Sequence, residues 1–171
     1  MTKTADRGNG MNTMLKSAIT AAMLGLAVSV VPAHASQTHV VIKMDGKPDL
    51  PVTDDTIAKL GTVEYKVKLD DVDGEAHRLK GPLLRSLLAA ADAAGKSVVA
   101  AANDGCSSEI PVADIAQHDG MVAVAVDGQP FSADENATAH IAYPVIDVPA
   151  LQGRQDIHDH LVFQLKELSA K

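Results

Sequence analysis

The sequence predicts an α+β domain: a mixed β-sheet core with a few short helices. Two observations lead there. Short runs rich in β-branched residues outnumber helical stripes, and the two kinds of element follow one another in mixed order. A third agrees with them: Asp-Gly dipeptides at 45–46, 73–74 and 127–128 punctuate those runs as turns.

Thr38 to Met44 reads as a strand because Val40, Val41 and Ile42 sit together. Thr53-Asp54-Asp55 predicts the capped start of a short helix that runs through Leu60 and stops at Gly61. Glu64 to Leu69 alternates polar and apolar residues, the period of a half-buried strand. Pro82 through Ala94 is the strongest helix signal. Proline occupies its first turn, Leu83, Leu84, Leu87, Leu88 and Ala91 form a stripe at helical spacing, and Gly95 follows. Val98 to Ala102 is strand-like, Ser108 to Pro111 extended, and Val112 to Gln117 suits a short helix. Met121 to Val126 reads as one buried strand, closed by the hairpin signal Asp127-Gly128. His140 to Tyr143 and Leu161 to Leu168 complete the strands. Between them Pro144 to His160 reads as a polar loop, and a loop of that length in a compact domain is a functional candidate.

The first 35 residues read as a cleaved leader. Lys16 precedes an apolar run from Ala18 to Val31, and Pro32-Ala33-His34-Ala35 ends in the small-residue pattern of a secretory cleavage site. The run is about 14 residues, shorter than the ~20 needed to span a bilayer. Met11 and Met14 are alternative starts to Met1. Residues 36–171 would then form one soluble domain, periplasmic or secreted. The chain carries 22 acidic against 15 basic residues, a net charge of −7, and the leader holds three of the basic residues. An acidic domain with no Trp, two Tyr and two Phe is a poor partner for nucleic acid or an anionic membrane. The single Cys excludes an intrachain disulfide, a CxxC redox pair and Cys-rich zinc sites.

Familiar catalytic signatures are missing. The sequence has no Gly-rich phosphate loop, GxSxG, HExxH or CxxCH. Asp70 to Glu75 resembles a calcium loop only in its first acids and reads as an acidic hairpin tip.

Five segments resemble a known family. Gly81-Pro82-Leu83-Leu84-Arg85-Ser86-Leu87-Leu88, Glu109-Ile110-Pro111-Val112-Ala113-Asp114, Val126-Asp127-Gly128-Gln129-Pro130-Phe131-Ser132, Ile141-Ala142-Tyr143-Pro144 and Val162-Phe163-Gln164-Leu165-Lys166 occur in the order found in the oxidoreductase molybdopterin-binding domain. The resemblance implies the sulfite-oxidase-like fold. Catalytic members of that family ligate molybdenum through a Cys that precedes the Gly81 segment, and here no Cys lies between Ser36 and Gly81. Cys106 falls where small relatives have Tyr, His140 and Phe163 where they have Trp, and His160 where they have Arg. The chain therefore resembles a short exported relative without the molybdenum chemistry. Some such relatives are similar to periplasmic pterin-binding proteins that partner membrane-bound signalling enzymes.

The resemblance nominates Asp104, Cys106, His140, His160 and Phe163 around one pocket, with a pterin-like ligand as occupant, and the long loop adds Arg154. A pterin is flat and needs an aromatic face and polar groups along its edge. Arg154 could grip a carboxylate or phosphate in a bidentate fork. Thiolate and imidazole are also zinc, copper or haem ligands, so Cys106, His140, His158 and His160 form a candidate metal set, with His158 and His160 pointing the same way if their stretch is extended. Cys106 could equally be a small buried hydrophobe. The leading expectation is a non-catalytic pterin-like binding domain. The alternatives are a molybdopterin-, metal- or haem-dependent oxidoreductase using Cys106, His140 and His160, and an interaction module with an empty pocket.

Overall fold

A computed structural model describes residues 36–68, 75–93, 95–131 and 138–171. The leader and the Asp73-Gly74 turn lie outside them. The elements in chain order are β1 (Thr38–Lys43), β2 (Leu50–Thr53), α1 (Asp54–Leu60), β3 (Val63–Lys68), β4 (Ala76–Gly81), α2 (Leu84–Ala90), β5 (Ser97–Ala102), β6 (Ser107–Pro111), α3 (Val112–His118), β7 (Met121–Ala123), β8 (Ala125–Val126), β9 (Gln129–Pro130), β10 (His140–Ala142), α4 (Gln155–Asp159) and β11 (Leu165–Ala170). This is α+β, with few and short helices.

The largest sheet has the order β2-β1-β11-β5-β6 and is mixed. The first strand lies parallel to the last, with Ile42 opposite Leu168, and the other pairs are antiparallel. A second sheet, β3-β4-β8-β9, is wholly antiparallel, and β7 pairs with β10. Leu84, Leu87 and Leu88 of α2 join Val40, Ile42, Ile110 and Leu168 in the main core. A smaller core gathers Val67, Leu79, Met121, Ala123 and Ala142.

Local chemistry explains the element ends. Thr53 Oγ1 accepts from the Thr56 N–H at 3.4 Å and Gly61 ends α1 at φ 77°, as the capping signals predict. The Asp127-Gly128 turn has positive φ at both residues, which the two-residue hairpin requires. Gly81 allows β4 to cross β7: a Cβ there would lie 1.9 Å from the Val122 carbonyl oxygen.

Other expectations are corrected. The predicted helix from Pro82 to Ala94 spans only Leu84–Ala90. At its start, Leu83 is bridged to Met121 and the Leu84 N–H donates to the Gly120 carbonyl, so sheet pairing replaces the first turn. At its end, Asp92 adopts φ 48° while the Asp92 and Ala93 N–H groups return to the Ala89 and Leu88 carbonyls, closing the helix before Gly95. Met121 to Val126 is two strands rather than one. Its break is Val124, whose N–H donates to the Lys80 carbonyl and whose carbonyl accepts from Phe131, passing the chain from one sheet to the other. Strand Leu161 to Leu168 begins only at Leu165, after Gln164 at φ 53°, and continues to Ala170. The strands β2 and β4 carry no clear sequence signal. Pro51 obscures β2, which tolerates it as an edge strand.

Candidate functional site

The segment from Pro144 to His160 is not an irregular loop. A 3-10 turn at Pro149–Leu151 and helix α4 organise it, and buried Leu151 and Ile157 pin it to the main core. Proline at the start of the first turn is pre-set for the geometry. Facing it, the β3–β4 hairpin presents Val67, Lys68 and Ala76 at the end of its ladder, where Lys68 pairs with Ala76. Between the two lies a cavity of about 680 Å³, completed by Val145, Ile146 and Leu161. That volume is in the range of small-molecule sites, ~300–1,000 Å³.

Arg154 and His158 line this cavity. The guanidinium of Arg154 is already engaged. Its Nε donates to Asp156 Oδ1 at 3.0 Å, Nη2 donates to the other Asp156 oxygen, and Nη1 donates to His118 Nε2 at 3.2 Å. The hydrogen bonds from Arg154 hold the Asp156 carboxyl down at about 2. The forked grip foreseen for an external anion is thus made to an internal one.

Asp104, Cys106, His140 and Phe163 do not line the cavity. Cys106 is exposed, which excludes the buried-hydrophobe reading. Its N–H donates to Asp104 Oδ1 at 2.8 Å in an Asx-type turn, with Gly105 at φ 88°. The hydrogen bond and negative charge of Asp104 push the Cys106 thiol upward, away from the reactive thiolate. This turn is tied to the closing segment, because the Asn103 N–H donates to the Gln164 carbonyl at 2.9 Å. The Gln164 N–H in turn donates to His140 Nδ1 at 3.1 Å. His140 lies edge-on to Phe131, with ring centres 4.3 Å apart, and to Phe163 at 5.4 Å. Burial among these groups drives the His140 imidazole down to about 4, so it is neutral at pH 7.

His160 takes a third position. Residues 155–159 are helical, so two residues apart means nearly opposite directions, and the expectation that His158 and His160 point together is overturned. His158 is exposed beside Asp159, whereas His160 is 7 % exposed and packs near Tyr143 with ring centres 6.4 Å apart. His160 Nδ1 and the Tyr143 hydroxyl are both buried without a hydrogen-bond partner among the described residues. Among the described residues no three His, Cys, Asp or Glu side chains converge to hold a metal ion, so Cys106, His140, His158 and His160 do not form a donor set. The cavity wall contributed by β4, and the His118 contact with Arg154, carry no signal in the sequence. Only the apolar alternation of β3 could have pointed to the wall.

No family model and no curated protein matches the sequence. The fold is similar to one in the crystal structure of the sulfane dehydrogenase SoxCD from Paracoccus pantotrophus, with a TM-score of 0.51 at 15 % identity. The match covers 76 % of this chain and 37 % of that one, and at this identity it is a distant likeness of fold alone. No helix among the described residues is long and apolar enough to cross a membrane.

Proposed function

We propose that this chain is a binding domain of sulfite-oxidase-like fold that holds a small ligand in the cavity beneath residues 144–160. The observation behind this reading is the cavity itself, whose volume and mostly apolar walls suit a small molecule. Five family-like segments and the fold likeness to a dehydrogenase support the fold assignment. The residues present do not fit a molybdenum cofactor: no Cys precedes Gly81, and the sole Cys is exposed, has its thiol pKa pushed upward by Asp104 and does not line the cavity. The reading is therefore non-catalytic. Export by the leader to the periplasm, and a membrane-bound sensor as partner, belong to the same proposal. The family resemblance nominates a pterin-like ligand.

The likeness to a dehydrogenase favours one second reading, an oxidoreductase or accessory redox protein using Cys106, His140 and His160. Two measurements on the purified protein separate them. Elemental analysis and an absorption spectrum that reveal stoichiometric metal or haem would favour the redox reading. Metal-free protein whose melting temperature rises with added small ligands, biopterin among them, would favour the binding domain, because a ligand that binds only the folded state must stabilise it.

A further inference from the structure

The cavity wall has a composition unlike the rest of the chain. Acidic residues outnumber basic ones by 22 to 15 overall, yet among the described residues no carboxylate lines the cavity. The charged side chains among its described lining are Lys68 and Arg154, with His158 beside them. Arg154 is fixed by Asp156 and His118, while the exposed Lys68 ammonium has no partner among the described residues. The remaining surface is dominated by Val67, Val145, Ile146, Leu151, Ile157 and Leu161, and no aromatic ring faces it. Both Phe side chains are at His140 instead. A flat heterocycle finds no ring to stack on there. A methylene chain finds aliphatic side chains along its length, and its transfer from water favours binding in proportion to the area covered.

We infer that the occupant is a single-chain amphiphile with an anionic head, a carboxylate or a phosphate. Its chain lies against Val67, Leu151 and Ile157, and its head sits at the rim by Lys68. The inference rests on the binding-domain reading and names the ligand class for that same cavity.

Calorimetric titration of the purified protein with octanoate, decanoate and dodecanoate, below their micellar concentrations, is the test. Affinity should rise about fourfold per added methylene, the equivalent of ~0.8 kcal/mol. Dodecanol should bind at least tenfold more weakly than dodecanoate. Lys68→Glu should weaken dodecanoate at least tenfold and leave dodecanol unchanged. Ala76→Trp, at an exposed strand position on the wall, should abolish binding while the melting curve stays in place. Comparison of dodecanoate with dodecyl phosphate distinguishes a free fatty acid from a lipid-derived phosphate as the source. Binding without chain-length dependence, or dodecanoate binding that survives both substitutions, would overturn the inference. Biopterin binding that Ala76→Trp abolishes, with dodecanoate silent, would overturn the amphiphile and leave the binding domain standing. Silence of every compound would remove both.

Discussion

The cavity beneath residues 144–160 and the ring cluster around His140 are built from opposite materials. Among the described residues the cavity has mostly aliphatic walls, two cationic side chains and an open volume. The ring cluster holds both Phe residues of the chain in edge contact with one imidazole, and the Gln164 N–H donates to His140 Nδ1. One region leaves space and the other fills it. Aromatic residues are scarce here: both Phe pack in the cluster, Tyr143 lies by His160, Tyr65 donates to the Asp119 carbonyl, and none lines the cavity. An aromatic residue at a position that resembles a family's ligand platform is therefore not by itself such a platform.

The largest expected effect breaks both regions at once. Gly81 is where β4, whose far end floors the cavity, crosses β7, whose partner strand holds His140. Gly81→Ala forces a Cβ into the Val122 carbonyl, and its cost should reach about 3 kcal/mol or more, read as a fall in the urea midpoint. A shift under 1 kcal/mol would mean that the crossing relaxes freely.

Next comes the pH dependence of the ring cluster. The unfolded chain binds a proton at His140 near 6.5, while the folded chain resists it down to about 4. The unfolded state thus holds more protons between those values. This contribution is complete above pH 6.5 and is lost as the pH falls through 4, by up to about 3 kcal/mol. His140→Asn keeps an acceptor near Nδ1 and removes the titration, so the pH curve of unfolding free energy should flatten in that window. An unchanged curve would assign the acid sensitivity elsewhere.

A smaller effect sharpens the contrast at the core behind the cavity. Tyr143 is fully buried with an unpartnered hydroxyl. Tyr143→Phe removes a desolvated polar group and should stabilise by about 1 kcal/mol. Destabilisation of that size would reveal a buried water on the hydroxyl. The smallest effect is at the exposed turn. Cys106→Ser should change stability by less than about 0.5 kcal/mol, and a thiol reagent should label Cys106 in the native protein.

Much of the fold was legible. Thr53 and Gly61 bracket α1, Asp127-Gly128 turns the hairpin, and β-branched residues mark β1, because these signals act within a few residues of themselves. The failures were those in which a distant strand intervened. Leu83 left its helix to pair with Met121, and Val124 broke its strand to serve Lys80 and Phe131. Of the candidate site, the position of residues 144–160 was legible as a long stretch poor in regular signals. Its helix was not, because α4 is five residues long and held by Ile157 in the core rather than by propensity.

The sequence by itself determined the fold class, most strands and turns, the acidic surface and the single thiol. These are set by composition and by short-range backbone preference. Only the tertiary structure decided which residues share a site. It separated Arg154 and His158 from Cys106 and His140, turned His158 and His160 in opposite directions, and left a cavity where the two apolar cores do not meet. Those outcomes depend on helix phase and on contacts between residues far apart in the chain, which local preference does not specify.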